Sequence, residues 1–252
     1  MSADAVIQVR NLVYSYPGGR RALDDISMTI GTGAHVGLIG PNGAGKTTLF
    51  LCLSGVIKAG RGVISLAGLD PSEPAQRRVL PSKVGIVFQN SDDQIFSATV
   101  FDDVAFGPLN LGLSAAEVKE RVASGLEQAG LRGFDDRVPY HLSSGEKRRT
   151  ALAGVLAMRP EILLLDEPSV YLDPRGRREF IRLLPALRVT RIIASHDLEL
   201  IRETCNRVIL IDSGRVMADG PTDQILANPE LMNAHGLEVP HSLSHHNERH
   251  HG

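Results

Sequence analysis

The sequence predicts an α/β fold with a strand-rich opening and a helical insert near residues 90–159. Three observations carry this. Residues 35–39 form a short apolar run that feeds a glycine-rich loop and then a helical pattern over about 45–55. Residues 162–165, Ile-Leu-Leu-Leu, are continuously apolar, as a strand covered on both faces must be. Between these two strands, from about 90 to 159, alternation gives way to helical periodicity.

Taken in order, residues 6–14 alternate apolar and polar side chains with the two-residue period of a strand, and 22–30 repeat the pattern. Tyr16-Pro17-Gly18-Gly19 between them is a turn signal. Residues 63–66 and 84–88 are further strand candidates. Inside the insert, 114–129 and 143–158 are the clearest helices, and strand character returns at 162–165, 191–194 and 207–211. The stretch from Pro240 onward is polar and histidine-rich, and loose ordering is expected there.

Composition narrows the class. At 252 residues, 42% of them apolar, the chain fits one large α/β domain or two small ones. Lys and Arg total 27 against 29 Asp and Glu, so the basic excess of a nucleic-acid binder is missing and no nucleic-acid partner is expected. The runs Lys147-Arg148-Arg149 and Arg175-Gly176-Arg177-Arg178 read as solvated helix faces. Cys52 and Cys205 fall in apolar-periodic stretches without ligand spacing and read as small core residues of a reducing compartment. No apolar run approaches the roughly 18 residues of a membrane helix. No signal peptide is expected from Met1-Ser2-Ala3-Asp4. Work at a membrane would go through docking onto another subunit from the cytoplasmic side.

Three motifs carry chemistry. Gly40-Pro41-Asn42-Gly43-Ala44-Gly45-Lys46-Thr47, followed by Thr48, matches a phosphate-binding loop between a strand and a helix. Glycines let backbone N–H groups turn toward a phosphate, and the helix N-terminus adds positive potential. Lys46 supplies a point charge for the β- and γ-phosphates, and the Thr47 hydroxyl can ligate Mg²⁺. Next, the apolar strand at 162–165 delivers Asp166 and Glu167 to the edge of a parallel sheet, where ligands bind. Asp166 can hold Mg²⁺ through water, and Glu167 can polarise a water for in-line attack on the γ-phosphate. Third, Leu142-Ser143-Ser144-Gly145-Glu146 opens the helix at 143–158. Ser143 and Glu146 fit a capping box, and a capped helix start with small residues is also a seat for phosphate.

With these motifs in this order, the chain resembles the ATP-binding-cassette ATPases over about residues 5–228. The Ser143–Glu146 helix start, about 20 residues before Asp166, separates that family from kinases and GTPases with lone phosphate loops. The resemblance implies a P-loop NTPase cassette domain with an antiparallel β subdomain and a helical subdomain (about 90–159), filling residues 1–232, and a histidine-rich tail at 233–252. It places Tyr16 on adenine, Gln89 on Mg²⁺ and the attacking water, His196 on the γ-phosphate and Asp173 at a dimer interface. It implies ATP and Mg²⁺ as ligands, and a dimer closing head-to-tail over two ATP molecules. Each ATP would lie between the loop of one copy and Ser143, Ser144, Gly145 and Glu146 of the other. Two departures stand out: the family's usual signature is Leu-Ser-Gly-Gly-Gln, where this chain has Ser144 and Glu146. Val170 and Tyr171 are also bulkier than usual.

The stretch from Val87-Phe88-Gln89 through Asp92-Asp93-Gln94-Ile95-Phe96 to Asp102-Asp103-Val104 is similar to energy-coupling-factor importers, and within them to the cobalt and nickel ATPase subunits. Residues 153–158 point the same way. This resemblance implies an integral membrane coupling subunit, a metal-specific membrane subunit, a homodimer and a peripheral place on the cytoplasmic face of the membrane. Asp92, Asp93, Asp102 and Asp103 are the candidates for pairing with coupling-helix arginines, or else a solvated acidic surface. His241, His245, His246, His250 and His251, with His235 upstream, suit Co²⁺ or Ni²⁺ or form a soluble polar tail. A vitamin-type importer of the same group and a non-transport ATPase of the superfamily are the alternatives.

Overall fold

The computed structural model describes residues 5–243. The chain opens with β1 (Ala5–Ser15), β2 (Arg21–Gly31), β3 (His35–Ile39), α1 (Lys46–Leu53) and β4 (Arg61–Leu66). β1 pairs antiparallel with β2 and β4, giving a three-stranded sheet in the order β2-β1-β4. Next come α2 (Pro74–Val79), β5 (Val84–Val87), α3 (Val100–Asn110), α4 (Ala115–Gln128) and α5 (Ser144–Ala157). The rest alternates: β6 (Ile162–Asp166), α6 (Pro174–Leu183), β7 (Thr190–Ala194), α7 (Leu198–Thr204), β8 (Arg207–Asp212), β9 (Arg215–Pro221), α8 (Thr222–Leu226) and α9 (Pro229–Ala234).

The second sheet runs β5-β6-β7-β3-β8-β9, parallel except for the antiparallel β8–β9 pair. Parallel pairing sends the C-terminal ends of β3, β5, β6 and β7 to one edge, where ligands of such sheets bind. Every residue of β6 and β7 is buried. Their alternate side chains enter two cores. Ile162, Leu164 and Ile192 join the antiparallel sheet's Ile7, Leu12 and Ile26, while Leu163, Leu165 and Ile193 join Leu152, Phe180 and Leu200. A third, smaller core holds α3, α4 and α5 together through Val104, Val118, Val122 and Ala153. α5 thus has one face in the helical insert and another on the sheet.

Both long insert helices start as read. Ser114 with Glu117, and Ser143 with Glu146, form complete capping boxes. Cys52 and Cys205 are free and buried, and burial pushes their thiols up to about 12 and about 11. Strand β9 escapes the sequence reading because its alternation is only between exposed and half-buried residues, with none buried to give an apolar face. It is held instead by its ladder with β8 and by the Arg207–Asp219 ion pair. The loose ordering expected from Pro240 does not extend to Ser242 and Leu243. Ser242 donates to Glu199, and Leu243 packs on the sheet's second core. Residues 244–252, with His245, His246, His250 and His251, lie outside the described residues. No helix among the described residues is long and apolar enough to cross a membrane.

Candidate nucleotide site

The loop between β3 and α1 has a shape only glycine permits. Gly40 has φ +149°, and a Cβ there would lie 1.9 Å from the Ile211 carbonyl oxygen. Gly45 has φ +109°, with the Ala22 carbonyl oxygen 2.6 Å from its would-be Cβ. Inside the loop, Lys46 Nζ donates to the carbonyls of Gly40 (2.6 Å) and Pro41 (3.1 Å). Burial pushes this ammonium below its usual range, while Glu167 and Asp166 pull it back.

At the end of β6, Asp166 Oδ2 accepts a hydrogen bond from Thr47 Oγ1 at 2.9 Å. Burial raises the Asp166 carboxyl, against the pull of Thr47, Lys46 and Arg148. Its other oxygen, Oδ1, is buried without a partner among the described residues. A buried, unpaired carboxylate oxygen beside a threonine hydroxyl fits a hydrated Mg²⁺, a cation that keeps waters and takes few protein ligands. Glu167 sits in the left-handed region, φ 45°, which is costly for a side chain of this size. The end of β7 pins it there. Glu167 N donates to the Ala194 carbonyl at 2.8 Å. Oε2 accepts from His196 Nδ1 (2.8 Å), Ser195 Oγ (3.1 Å) and His196 N (3.3 Å).

These groups surround a cavity of about 990 Å³. Its walls include Tyr16, the whole of 40–48, Gln89, Glu167, Tyr171 and His196. Asp166 lies just behind, reached through Thr47. The Tyr16 ring stands edge-on to Tyr14, and its hydroxyl is 3.0 Å from Thr48 Oγ1. Arg20, Gly236 and Leu237 also line the cavity, and the sequence reading missed all three. Leu237 is brought in by the chain beyond α9, where His235 Nδ1 meets Asp212 Oδ2 at 2.9 Å.

The remaining candidates lie elsewhere. Ser143, Ser144, Gly145, Glu146 and Asp173 line a second cavity of about 460 Å³. Asp173 caps α6, its Oδ1 accepting from Gly176 N at 2.7 Å. One chain therefore carries the candidate residues in two separate cavities and does not bring them together.

The four aspartates split as well. Asp92 and Asp93 are exposed, Asp92 in an ion pair with Lys147 at 2.7 Å. Asp102 caps its own helix start with Thr99. Asp103 holds the backbone N–H groups of Phe96 (3.0 Å) and Ser97 (2.9 Å). Beside them Phe96 and Phe106 are exposed and stacked edge-to-face.

The basic run needs correcting. Lys147 pairs with Asp92, but Arg148 is 2% exposed and no part of a solvated face. Its guanidinium points at the carbonyls of Phe88, Gln89 and Val170. Arg177, from the second run, is half-buried and forms a two-pronged pair with Asp197 at 2.7 and 3.0 Å.

A model of the ABC transporter family matches residues 23–170. The chain belongs to this family. It is an ATP-hydrolysing transporter subunit of the ABC class. A putative ABC transporter ATP-binding protein of Gloeobacter violaceus is 52% identical over 237 residues, covering 93% of this chain and 97% of that one. The energy-coupling factor transporter ATP-binding protein EcfA of Methanothermobacter thermautotrophicus is 48% identical over 240 residues, covering 93% and 77%. Among solved structures, cbiO1 of Clostridium perfringens, part of the ABC transporter complex cbiONQ, superposes with TM-score 0.83 at 36% identity, covering 97% and 99%. A dimeric ATP-binding cassette in a post-hydrolysis state with ADP and Pi gives 0.77 at 25% identity, covering 86% and 98%.

The unusual signature of this ABC subunit keeps its helix start. Glu146 Oε2 accepts from both Ser143 N and Ser143 Oγ at 2.8 Å, and Glu146 N donates to Ser143 Oγ at 3.3 Å. Ser143's backbone and side-chain hydrogen bonds, with Arg137 and Arg149 nearby, hold the Glu146 carboxyl below its usual range despite some burial. The second cavity is thus lined by a carboxylate where the family's usual glutamine is neutral.

Proposed function

We propose that this chain is the ATP-driven motor of an energy-coupling-factor importer for a transition-metal ion, cobalt first and nickel next. In this reading it works as a head-to-tail homodimer, peripheral on the cytoplasmic face of the membrane. It is bound there to an integral coupling subunit and a metal-specific membrane subunit. The division of the site over two cavities of one chain is the observation that carries the dimer. A nucleotide in the larger cavity meets Ser143–Glu146 and Asp173 only if a second copy supplies them.

In this arrangement Tyr16 stacks on adenine, and the 40–48 backbone with Lys46 grips the phosphates. Thr47, Asp166 and Gln89 are the residues to hold Mg²⁺, which when bound neutralises charge between the β- and γ-phosphates. Glu167 has Oε2 committed to His196 and Ser195, while Oε1 makes no hydrogen bond among the described residues. That oxygen is the one to take the proton of an attacking water. His196, 62% exposed, reaches the γ-phosphate from the other side. Glu146 puts a negative charge near the twin's triphosphate, which slows closure relative to a glutamine signature.

The metal cargo is supported by the resemblance of the 87–104 stretch to cobalt and nickel ATPase subunits and by the histidine-rich C-terminal stretch, whose metal binding is part of this proposal. Among the described residues there is no group of three or more His, Cys, Asp or Glu able to hold a metal ion, so cargo contact falls to the membrane subunit or to the tail. The EcfA relative, more similar in sequence than cbiO1, carries no cargo in its name, and a vitamin-type importer is the second reading. The exposed Phe96–Phe106 pair, on the segment held by Asp103, favours transport over a free-standing ATPase. The test is co-purification with membrane subunits, followed by radiolabelled Co²⁺ uptake in cells. Energy-dependent Co²⁺ uptake is expected. Uptake of a vitamin but no metal would move the chain to the second reading, and purification without any membrane subunit would end both.

Asp92 and Asp93 provide a separate test of docking. Charge-assisted pairs of partly exposed groups contribute about 1 kcal/mol each, so Asp92→Ala with Asp93→Ala is expected to weaken the membrane complex about 5–30-fold. ATPase activity of the isolated chain should stay near wild type. Undiminished uptake and co-purification would remove both aspartates from the docking surface.

A further inference from the structure

We propose that Arg148 is a positioning residue for hydrolysis: its buried guanidinium ties the main chain at Gln89 and Val170 to helix α5, keeping the two half-sites of one chain in register. This rests on the proposed role of Gln89 at the larger cavity.

Arg148 lies one helical turn beyond Ser144, on the face of α5 turned to the sheet. Its Nη1 donates to the Phe88 carbonyl at 2.5 Å, and Nη2 donates to the carbonyls of Gln89 and, at 3.4 Å, Val170. Gln89 and Val170 both line the larger cavity, while Ser144, Gly145 and Glu146 at the start of the same helix line the smaller one. A single side chain therefore spans from one half-site to the other.

The Gln89 segment needs such a tie. β5 is the edge strand of its sheet, so the chain leaving it has no strand on its outer side. Gln94 supplies one substitute: its Oε1 accepts from Phe88 N at 2.8 Å and its Nε2 donates to the Ile86 carbonyl at 3.0 Å. Arg148 supplies the other by taking the next two carbonyls. Gln94 thus fixes the chain up to the Phe88 amide, and Arg148 holds the carbonyls on either side of the Gln89 Cα. On the other loop, Val170 precedes Tyr171, which is held at φ 65° and is 72% exposed. A displacement of α5 is transmitted to both loops through one planar group.

Only arginine suits this position. A guanidinium presents several donors in a fixed fork, whereas a lysine offers one point charge on a flexible stem. Stability alone does not call for it, since a buried cation is costly and its Nε has no partner among the described residues. Burial pushes the group down to about 10, against the pull of Asp166, so it stays charged at neutral pH.

A double-mutant cycle tests the proposal. Arg148→Lys is expected to lower kcat about 10–100-fold, the loss typical of a reacting group misplaced by about 1 Å. KM for ATP and affinity for a non-hydrolysable analogue should stay within about twofold of wild type, and the Mg²⁺ concentration for half-maximal rate should rise. Gln89→Ala should lower kcat comparably, and the double variant should lose little more than either single one. Should Arg148→Lys fail to fold, Arg148→Gln carries the same cycle. Losses that multiply, or Arg148→Lys turning over at the wild-type rate, would overturn the proposal and leave Gln89's role intact. A wild-type rate for Gln89→Ala would remove Gln89 from the mechanism and this proposal with it.

Discussion

Glu167→Gln is expected to keep ATP binding and to lose turnover by about 10²–10⁴-fold, the contribution of a positioned general base. The substitution isolates chemistry from shape. Gln has the volume of Glu, so the left-handed backbone at φ 45° and the packing at the end of β6 stay as they are. An amide oxygen in the place of Oε2 still accepts from Ser195 Oγ and His196 N, now 3.1 and 3.3 Å away. What is lost is a group able to take a proton. Removing a negative charge near the γ-phosphate should also tighten the nucleotide-bound state, so the closed dimer should accumulate with ATP. Phosphate release and light scattering with ATP read the two effects separately. Turnover within twofold of wild type would take Glu167 out of the base role. Loss of nucleotide binding would mean that the carboxylate serves structure instead.

What the sequence made legible was whatever depends on local sterics. The 40–47 loop announces itself because any side chain at Gly40 would run into the Ile211 carbonyl, and composition records that constraint. Strand β6 is readable because burial on both faces forbids polar residues along it. The Ser143–Glu146 box is readable because both partners lie within one turn. What stayed hidden depends on contacts far apart in the chain. Successive helix residues are about 100° apart, so Lys147, Arg148 and Arg149 sweep more than half the helix circumference. One of them must point inward, and the run itself does not say which. Arg148 finds its acceptors about 60 positions back, at Phe88 and Gln89. Asp103 reads as one more surface acid, yet one of its oxygens holds two backbone N–H groups and the other is buried. Leu237 reaches the larger cavity through a chain return that no local pattern encodes. Asp173, placed at a dimer interface by resemblance, lines one cavity with Ser143–Glu146, a neighbourhood fixed by α6 packing beside α5 rather than by any local pattern.

The second large effect is expected at Lys46, where alanine should weaken ATP binding about 10²-fold or more and bring hydrolysis to background. A hydrogen bond to a charged group contributes about 1.5–3 kcal/mol, and an ammonium here can serve more than one phosphate oxygen. The surrounding field makes the loss worse. Asp166 is 2% exposed and Glu167 is 8% exposed, so both carboxylates act on the loop with little screening by water. Lys46 is the cation that offsets them within the loop. Lys46→Arg should fail too, because the compact ammonium meets the Gly40 and Pro41 carbonyls at 2.6 and 3.1 Å, and a broad planar fork on a different stem does not reproduce that point charge. Folding can be checked independently. The buried ammonium is itself costly, and its two carbonyl acceptors are backbone groups that water can reach once the side chain is cut back. The melting temperature of nucleotide-free Lys46→Ala should therefore stay within a few degrees of wild type. Saturating ATP should raise the wild-type melting temperature and leave that of the variant unchanged, since only a ligand that binds the folded state can stabilise it. A variant that is stabilised by ATP and hydrolyses it at the normal rate would show that the 40–47 loop does not grip the triphosphate.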